Sequence, residues 1–115
     1  MAETETMFDT LVSQLKGLTG VEFTEYEWKT RPAGNHGTVK YDFEAADDNG
    51  DDLKQDAAFE GSVHLFTKGR RTDIADAVEG VLTSVCESCW ELNSEQYEHE
   101  TGLVHREYVF QLESR

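Results

Sequence analysis

The residues with most chemistry to offer are two cysteines, in Cys86-Glu87-Ser88-Cys89, and four histidines, His36, His64, His99 and His105. A C-x-x-C pair does redox work when it opens a helix, because the positive end of the helix dipole lowers a thiol pKa. Here the pair closes an apolar-periodic segment, at the opposite end of the dipole. Zinc asks for four ligands. Adding His99 and His105 leaves nine and then five intervening residues, unlike the spacing of finger sites. The two sulfurs therefore read as small side chains closing a helix near the core. In Asp47-Asp48-Asn49-Gly50-Asp51-Asp52, Asp47, Asn49 and Asp51 fall at positions one, three and five of a calcium loop. Position six would be Asp52 instead of glycine, and position twelve Ala58 instead of glutamate, so the segment reads as a solvated hairpin tip. No Ser-His-Asp set, phosphate-binding glycine loop or catalytic carboxylate pair is assignable. The expectation is a protein without enzymatic activity, metal or cofactor.

Charge is the stronger signal. Ten Lys and Arg stand against 24 Asp and Glu, a formal net charge of -14. Such a field repels phosphate backbones, so no sequence-specific nucleic-acid binding is expected. Self-repulsion is screened over about 8 Å at physiological ionic strength and about 3 Å at 1 M salt. The acid surplus fits a halophilic source or an ordinary acidic protein, and composition leaves both open. The charges are also unevenly placed. Lys68, Arg70 and Arg71 cluster in one short segment, whereas Asp42 to Glu60 holds eight acids against Lys54 alone. A basic loop on an acidic domain can meet the acids of a neighbouring copy in a heterologous, ring-forming contact. This makes Lys68, Arg70 and Arg71, with Asp47, Asp48, Asp51 and Asp52 opposite them, the candidate assembly residues.

The elements that position these residues follow from periodicity. Phe8, Leu11, Val12 and Leu15 form one helical stripe, predicting a helix over Thr6 to Lys16 with Thr6 as N-cap and Gly17 as its left-handed stop. Val21 to Lys29 reads as a strand with a face switch near Thr24. Thr38 to Ala46 alternates, with Val39, Tyr41, Phe43 and Ala45 inward. A turn over Asp48-Asn49-Gly50 then places Val39 opposite Phe59 and keeps Phe59, Val63 and Leu65 on the same apolar face. A second helix runs from a Thr72 or Asp73 cap to about Cys86, with Ile74, Ala77, Val78, Val81, Leu82 and Val85 as its stripe. Gly80 either weakens this helix or admits a neighbour closely. Two further strands carry Trp90 and Leu92, then Tyr108, Phe110 and Leu112, joined by a turn at Glu100-Thr101-Gly102.

The predicted order is α-β-β-β-α-β-β. It gives an α+β, two-layer domain over residues 1–115, with two helices on one face of a mostly antiparallel sheet of four to five strands. A chain of 115 residues with twelve aromatics suits one domain and one core. No run of eighteen apolar residues exists, so no membrane span is expected. Met1 to Thr6 holds two glutamates and no basic residue, which predicts no secretory signal and intracellular synthesis.

The stretch Phe59-Glu60-Gly61-Ser62-Val63-His64-Leu65-Phe66-Thr67-Lys68, followed by a short charged loop and the helix Asp73 to Val85, resembles the tail terminator or tail completion proteins of long-tailed (siphovirus-like) viruses. The resemblance extends to the Trp90 strand, the closing Tyr108-Val109-Phe110-Gln111-Leu112 and the opening helix with Leu18-Thr19-Gly20-Val21. It rests on pattern and element order over nearly the whole chain. It implies a non-enzymatic virion protein, made in the host cytoplasm, that caps the tail tube as a homo-oligomeric ring, typically of six copies, and joins tail to head. Its partners would be itself, the tail tube protein and the head-tail connector proteins. The family pattern requires neither the acidity nor the cysteine pair. A neighbouring neck (connector) component is an alternative, and so is an acidic DNA mimic that occupies a nucleic-acid-binding enzyme.

The charge excess yields one prediction directly. The melting temperature should rise between about 0.01 M and 1 M chloride, as the Debye length falls from about 30 Å to about 3 Å. A flat or falling curve would remove self-repulsion as a force on this fold.

Overall fold

The computed structural model of the protein describes residues 2–42 and 58–113. The elements are helix α1 (Ala2–Lys16), strands β1 (Glu22–Glu25), β2 (His36–Asp42) and β3 (Ala58–Lys68), helix α2 (Thr72–Cys86), and strands β4 (Trp90–Glu98) and β5 (Leu103–Glu113). The strands form one five-stranded sheet in the order β1-β2-β3-β5-β4. Every pairing is antiparallel except β1 with β2. The α+β class, the element order and the single helical layer are as the periodicity predicts. Among the described residues, no helix is long and apolar enough to cross a membrane.

The core lies between the sheet and the helices. Phe8, Leu11, Val12 and Leu15 from α1, and Ile74, Ala75, Val78, Val81, Leu82 and Cys86 from α2, pack against Val39, Tyr41, Val63, Leu65, Tyr108, Phe110 and Leu112. Each fully buried aliphatic side chain here is worth roughly 1.5–3 kcal/mol. The α2 stripe is turned slightly from expectation: Ala75 and Cys86 are buried, and Ala77 and Val85 only half-buried. Tyr108 satisfies its buried hydroxyl by donating to Glu79 Oε2 at 2.8 Å, which ties α2 to β5. Burial and that carboxylate both push the phenol pKa up.

Several boundaries differ from the sequence reading. Helix α1 begins at Ala2, so Thr6 lies inside it and is no N-cap. The left-handed glycine is Gly20 (φ 85°), not Gly17. β1 stops at Glu25 because Tyr26 takes φ 67°, which turns the chain out of the strand. Helix α2 is capped by neither Thr72 nor Asp73; Arg71, at φ 36° and ψ 61°, is its N-cap residue and makes no side-chain cap. Leu92 is 42% exposed, because β4 is an edge strand that α2 only partly covers.

The register of β2 on β3 also differs. Val39 stands opposite Val63 instead of Phe59. The slide is four residues, and an even slide keeps every side chain on its face. Apolar alternation therefore sets the face and leaves the register open. Two glycines shape the rows across the sheet. Tyr41, Gly61 and Phe110 form one row across β2, β3 and β5, and Phe23, Gly37 and Leu65 form another across β1, β2 and β3. A Cβ at Gly61 would collide with the Phe110 ring and the Lys40 carbonyl, and one at Gly37 with the Phe23 ring and the His64 carbonyl. Each aromatic lies on the sheet because the residue beneath it has no side chain. Tyr41 completes the packing by stacking on Phe8 of α1, with ring centroids 4.7 Å apart. The predicted turn at Asp48-Asn49-Gly50 lies outside the described residues.

Two alanine substitutions should therefore have opposite signs. Gly61→Ala should destabilise by about 1–3 kcal/mol through overpacking. That corresponds to a melting temperature lower by roughly 4–8 °C per kcal/mol for a domain of this size. Gly80 has open space around it, so Gly80→Ala should stabilise by about 0.5–1 kcal/mol. Thermal unfolding followed by circular dichroism reads both, and a neutral Gly61→Ala would contradict the packing account.

Candidate functional site

The loop holding the predicted cations is fixed from three sides. The Lys68 backbone N–H donates to Asn35 Oδ1 at 2.8 Å, and Asn35 Nδ2 donates to the Gly20 carbonyl. Thr67, fully buried, donates its hydroxyl to the Gly69 carbonyl at 2.8 Å, with Gly69 at φ 75°. From below, Arg106 Nη2 donates to the Arg70 carbonyl at 2.8 Å and pairs with Glu95 Oε2 at 3.1 Å. Arg106 is only 3% exposed, and its Nη1 has no hydrogen-bond partner. A buried guanidinium thus acts as the floor of the loop.

The three cations differ in what they can offer. Arg71 folds forward onto Asp73 in a two-pronged pair, Nε to Oδ1 at 3.0 Å and Nη2 to Oδ2 at 2.8 Å. The Arg71 hydrogen bond, more than any other contact, holds the Asp73 carboxyl down to about 2, and Asp73 in turn raises the Arg71 pKa. The pair also offsets two local costs. A non-glycine residue in the left-handed region costs about 1–2 kcal/mol. A cation at a helix N-terminus also opposes the dipole. Lys68 and Arg70 are exposed, with their backbone held and their side chains directed to solvent. Asp47, Asp48, Asp51 and Asp52, the acids predicted to face this loop on a neighbour, lie outside the described residues.

The sulfurs sit where a helix closes. Cys86 is buried and Cys89 half-buried, both as free thiols. Burial, and secondarily Cys89, pushes the Cys86 thiol up to about 12. His99 lies edge-on to Tyr97 at 5.0 Å, whereas His105 bonds to His64. Among the described residues, no three or more His, Cys, Asp or Glu side chains stand together as a metal site.

The structure gathers a second group that the sequence reading treats as scattered. On the sheet face away from the helices, the rings of His36, Phe66, His105 and His64 form a ladder, with successive centroids 4.8, 4.3 and 5.0 Å apart. His64 Nδ1 and His105 Nε2 share a hydrogen bond of 2.8 Å. Glu107 lies 3.9 Å from His64 Nε2 and Glu98 lies 3.7 Å from His105 Nδ1. The segment 26–35, which returns the chain from β1 to the parallel β2, crosses this face. Trp28 Nε1 donates to the Gly37 carbonyl at 3.1 Å. Arg31 lies over the Phe66 ring at 4.2 Å, donates from Nε to His36 Nε2 at 2.9 Å, and reaches Glu98 from Nη2 at 3.0 Å. A cavity of about 280 Å³ opens beside it, lined in part by Tyr26, Trp28 and Lys40. One sequence signal pointed here: Phe66, a large aromatic, falls on the outward parity of a strand whose Val63 and Leu65 face inward.

No family model and no curated protein matches the sequence. Solved structures share the fold. One, whose name carries no functional description, superposes with a TM-score of 0.64 at 11% identity, covering 100% of this chain and 96% of its own. Another is a chain from the virion of a native gene transfer agent particle. It has a TM-score of 0.50 and 13% identity, covering 96% of this chain and 90% of that one.

The two thiols should react unequally. At about pH 8 a small alkylating reagent should modify Cys89 in the folded protein and spare Cys86, as a mostly protonated, buried thiol is inert. Intact-mass spectrometry should give one adduct per chain when native and two after unfolding. Two adducts on the folded protein would contradict the burial of Cys86.

Proposed function

We propose that this chain is a structural protein of a phage-like particle and, more finely, the terminator that caps the tail tube as a ring and joins tail to head. The observation that carries the reading is the fold shared over 96% of the chain with a component of a gene transfer agent virion. The element order and the Phe59 to Lys68 pattern that resemble tail terminators point the same way. In this reading the protein is not an enzyme. Its partners are other copies of itself, six in the ring, the tail tube protein and the head-tail connector, and it resides in the virion after assembly in the host cytoplasm.

The joint is assigned to the β3–α2 loop. Lys68 and Arg70 supply the attraction, since Arg71 spends its charge on Asp73. The partner acids are Asp47, Asp48, Asp51 and Asp52 of a neighbouring copy. A loop anchored by Asn35, Thr67 and Arg106 presents its cations with little ordering left to do, and preorganisation of this kind favours association.

An exposed ion pair contributes only about 0–1 kcal/mol, so a single substitution should be mild. Lys68→Glu with Arg70→Glu together turns attraction into repulsion, which can cost several kcal/mol across an interface. The double variant should keep the parent's circular dichroism and lose ring formation by roughly tenfold or more in native mass spectrometry, most severely at low salt. Assembly equal to the parent at every salt concentration would make the loop a solvated surface. Failure of the parent itself to form a ring, alone or with tail tubes, would overturn the terminator reading.

A further inference from the structure

The face of the sheet opposite the helices has its own cover, and its contacts depend on protonation state. Arg31 is the fastener. Its guanidinium spans the sheet from His36 on β2, over Phe66 on β3, to Glu98 on β4. His36 is 1% exposed although it lies on the uncovered face, since the segment 26–35 lies over it. The hydrogen bonds fix its tautomer. Nε2 faces the Arg31 Nε–H and must accept, so the proton sits on Nδ1 and is donated to the Gly34 carbonyl at 2.8 Å. A second proton would place a donor against a donor and one cation against another. The fastening to His36 therefore exists only with neutral imidazole.

We propose that residues 26–35 are a proton-operated strap, closed over the outer face while His36 is neutral and released when His36 and the His64–His105 pair take up protons. The pair adds a second step. One imidazole must accept in the 2.8 Å bond between them, so the pair tolerates one proton and is broken by two. Glu98 links the two sites, with Oε1 on Arg31 and Oε2 3.7 Å from His105 Nδ1. The groups facing the cluster come from every surrounding element: Glu22 on β1, Lys40 on β2, Glu98 on β4, Glu107 on β5, and Arg31 on the strap. Glu22, Glu98 and Glu107 favour the charged imidazoles; Lys40 and Arg31 oppose them, and burial opposes them most. All three histidines are held below the ordinary value of 6.5. A histidine with a lowered folded pKa contributes stability that is complete above 6.5 and is lost as pH falls through the folded value. Release therefore belongs to mild acid, below 6.5, and the strap is closed at neutral pH.

The Trp28 indole N–H, bonded to the Gly37 carbonyl, reports the strap, and the Trp90 indole N–H, bonded to Thr83 Oγ1, reports the helical side. In the 15N-labelled full chain, protection of the Trp28 indole should fall roughly tenfold or more between about pH 7.5 and about pH 5, after correction for intrinsic exchange. The Trp90 indole and the far-ultraviolet dichroism should stay unchanged. His36→Gln offers Arg31 an acceptor that does not titrate, so its Trp28 signal should lose most of that dependence. Arg31→Gln should show the open state already at neutral pH, and the acid spectrum of the parent should approach it. A Trp28 signal that is flat with pH, that moves together with Trp90, or that titrates equally in His36→Gln would overturn the proposal. Should His36→Gln not fold, dissimilarity between the parent's acid spectrum and that of Arg31→Gln would do so.

Discussion

Along β3 the odd-numbered residues meet the helices and the even-numbered ones do not, and this asymmetry organises the molecule. Val63, Leu65 and Thr67 are buried in the core, while Ser62, His64 and Phe66 face the other way. Two helices cover one face of a five-stranded sheet and leave the other to the strands and one loop. A half-covered antiparallel sheet ordinarily turns polar residues to water on its open side. This one builds a layer of histidine, phenylalanine and arginine there instead. Imidazole and guanidinium groups suit that position because each is flat enough to stack and polar enough to remain partly wet.

The covered face obeys a different demand. Aromatic side chains can lie flat against a sheet only where the neighbouring strand has room for them. Gly37 under Phe23 and Gly61 under Phe110 provide that room, and both glycines sit on the inward parity of central strands. Glycine within a strand weakens it locally, by roughly 0.5–1 kcal/mol relative to alanine. The aromatic packing offsets this and fixes register as well. Phe110 over Gly61 ties β5 to β3, and Phe23 over Gly37 ties β1 to β2.

The exposed basic residues of the β3–α2 loop stand out on an acidic chain. A chain carrying -14 has few cations to place, and the fold spends them in different ways. Arg106 is buried as a floor, Arg71 steadies the start of α2, and Arg31 fastens the outer face. Lys68 and Arg70 remain directed outward, on backbone that is held from three directions. In the proposed ring, this rigid basic projection would meet the acids of another copy.

The sequence alone determined the helical layer, the order of the elements and the inward parity of the strands. These follow from local periods of 3.6 and two residues, which act through neighbours in the chain. It also located the basic loop, since clustering along the chain is visible without a fold. Tertiary structure alone decided the β2–β3 register, because parity is blind to an even slide. Which cations stay free was likewise a tertiary matter: Arg71 is spent on Asp73 through a left-handed backbone angle that no composition reveals. The outer cluster was invisible for the same reason. His36, His64 and His105 lie far apart in the chain and become neighbours only because β2, β3 and β5 lie side by side and the return segment folds Arg31 across them.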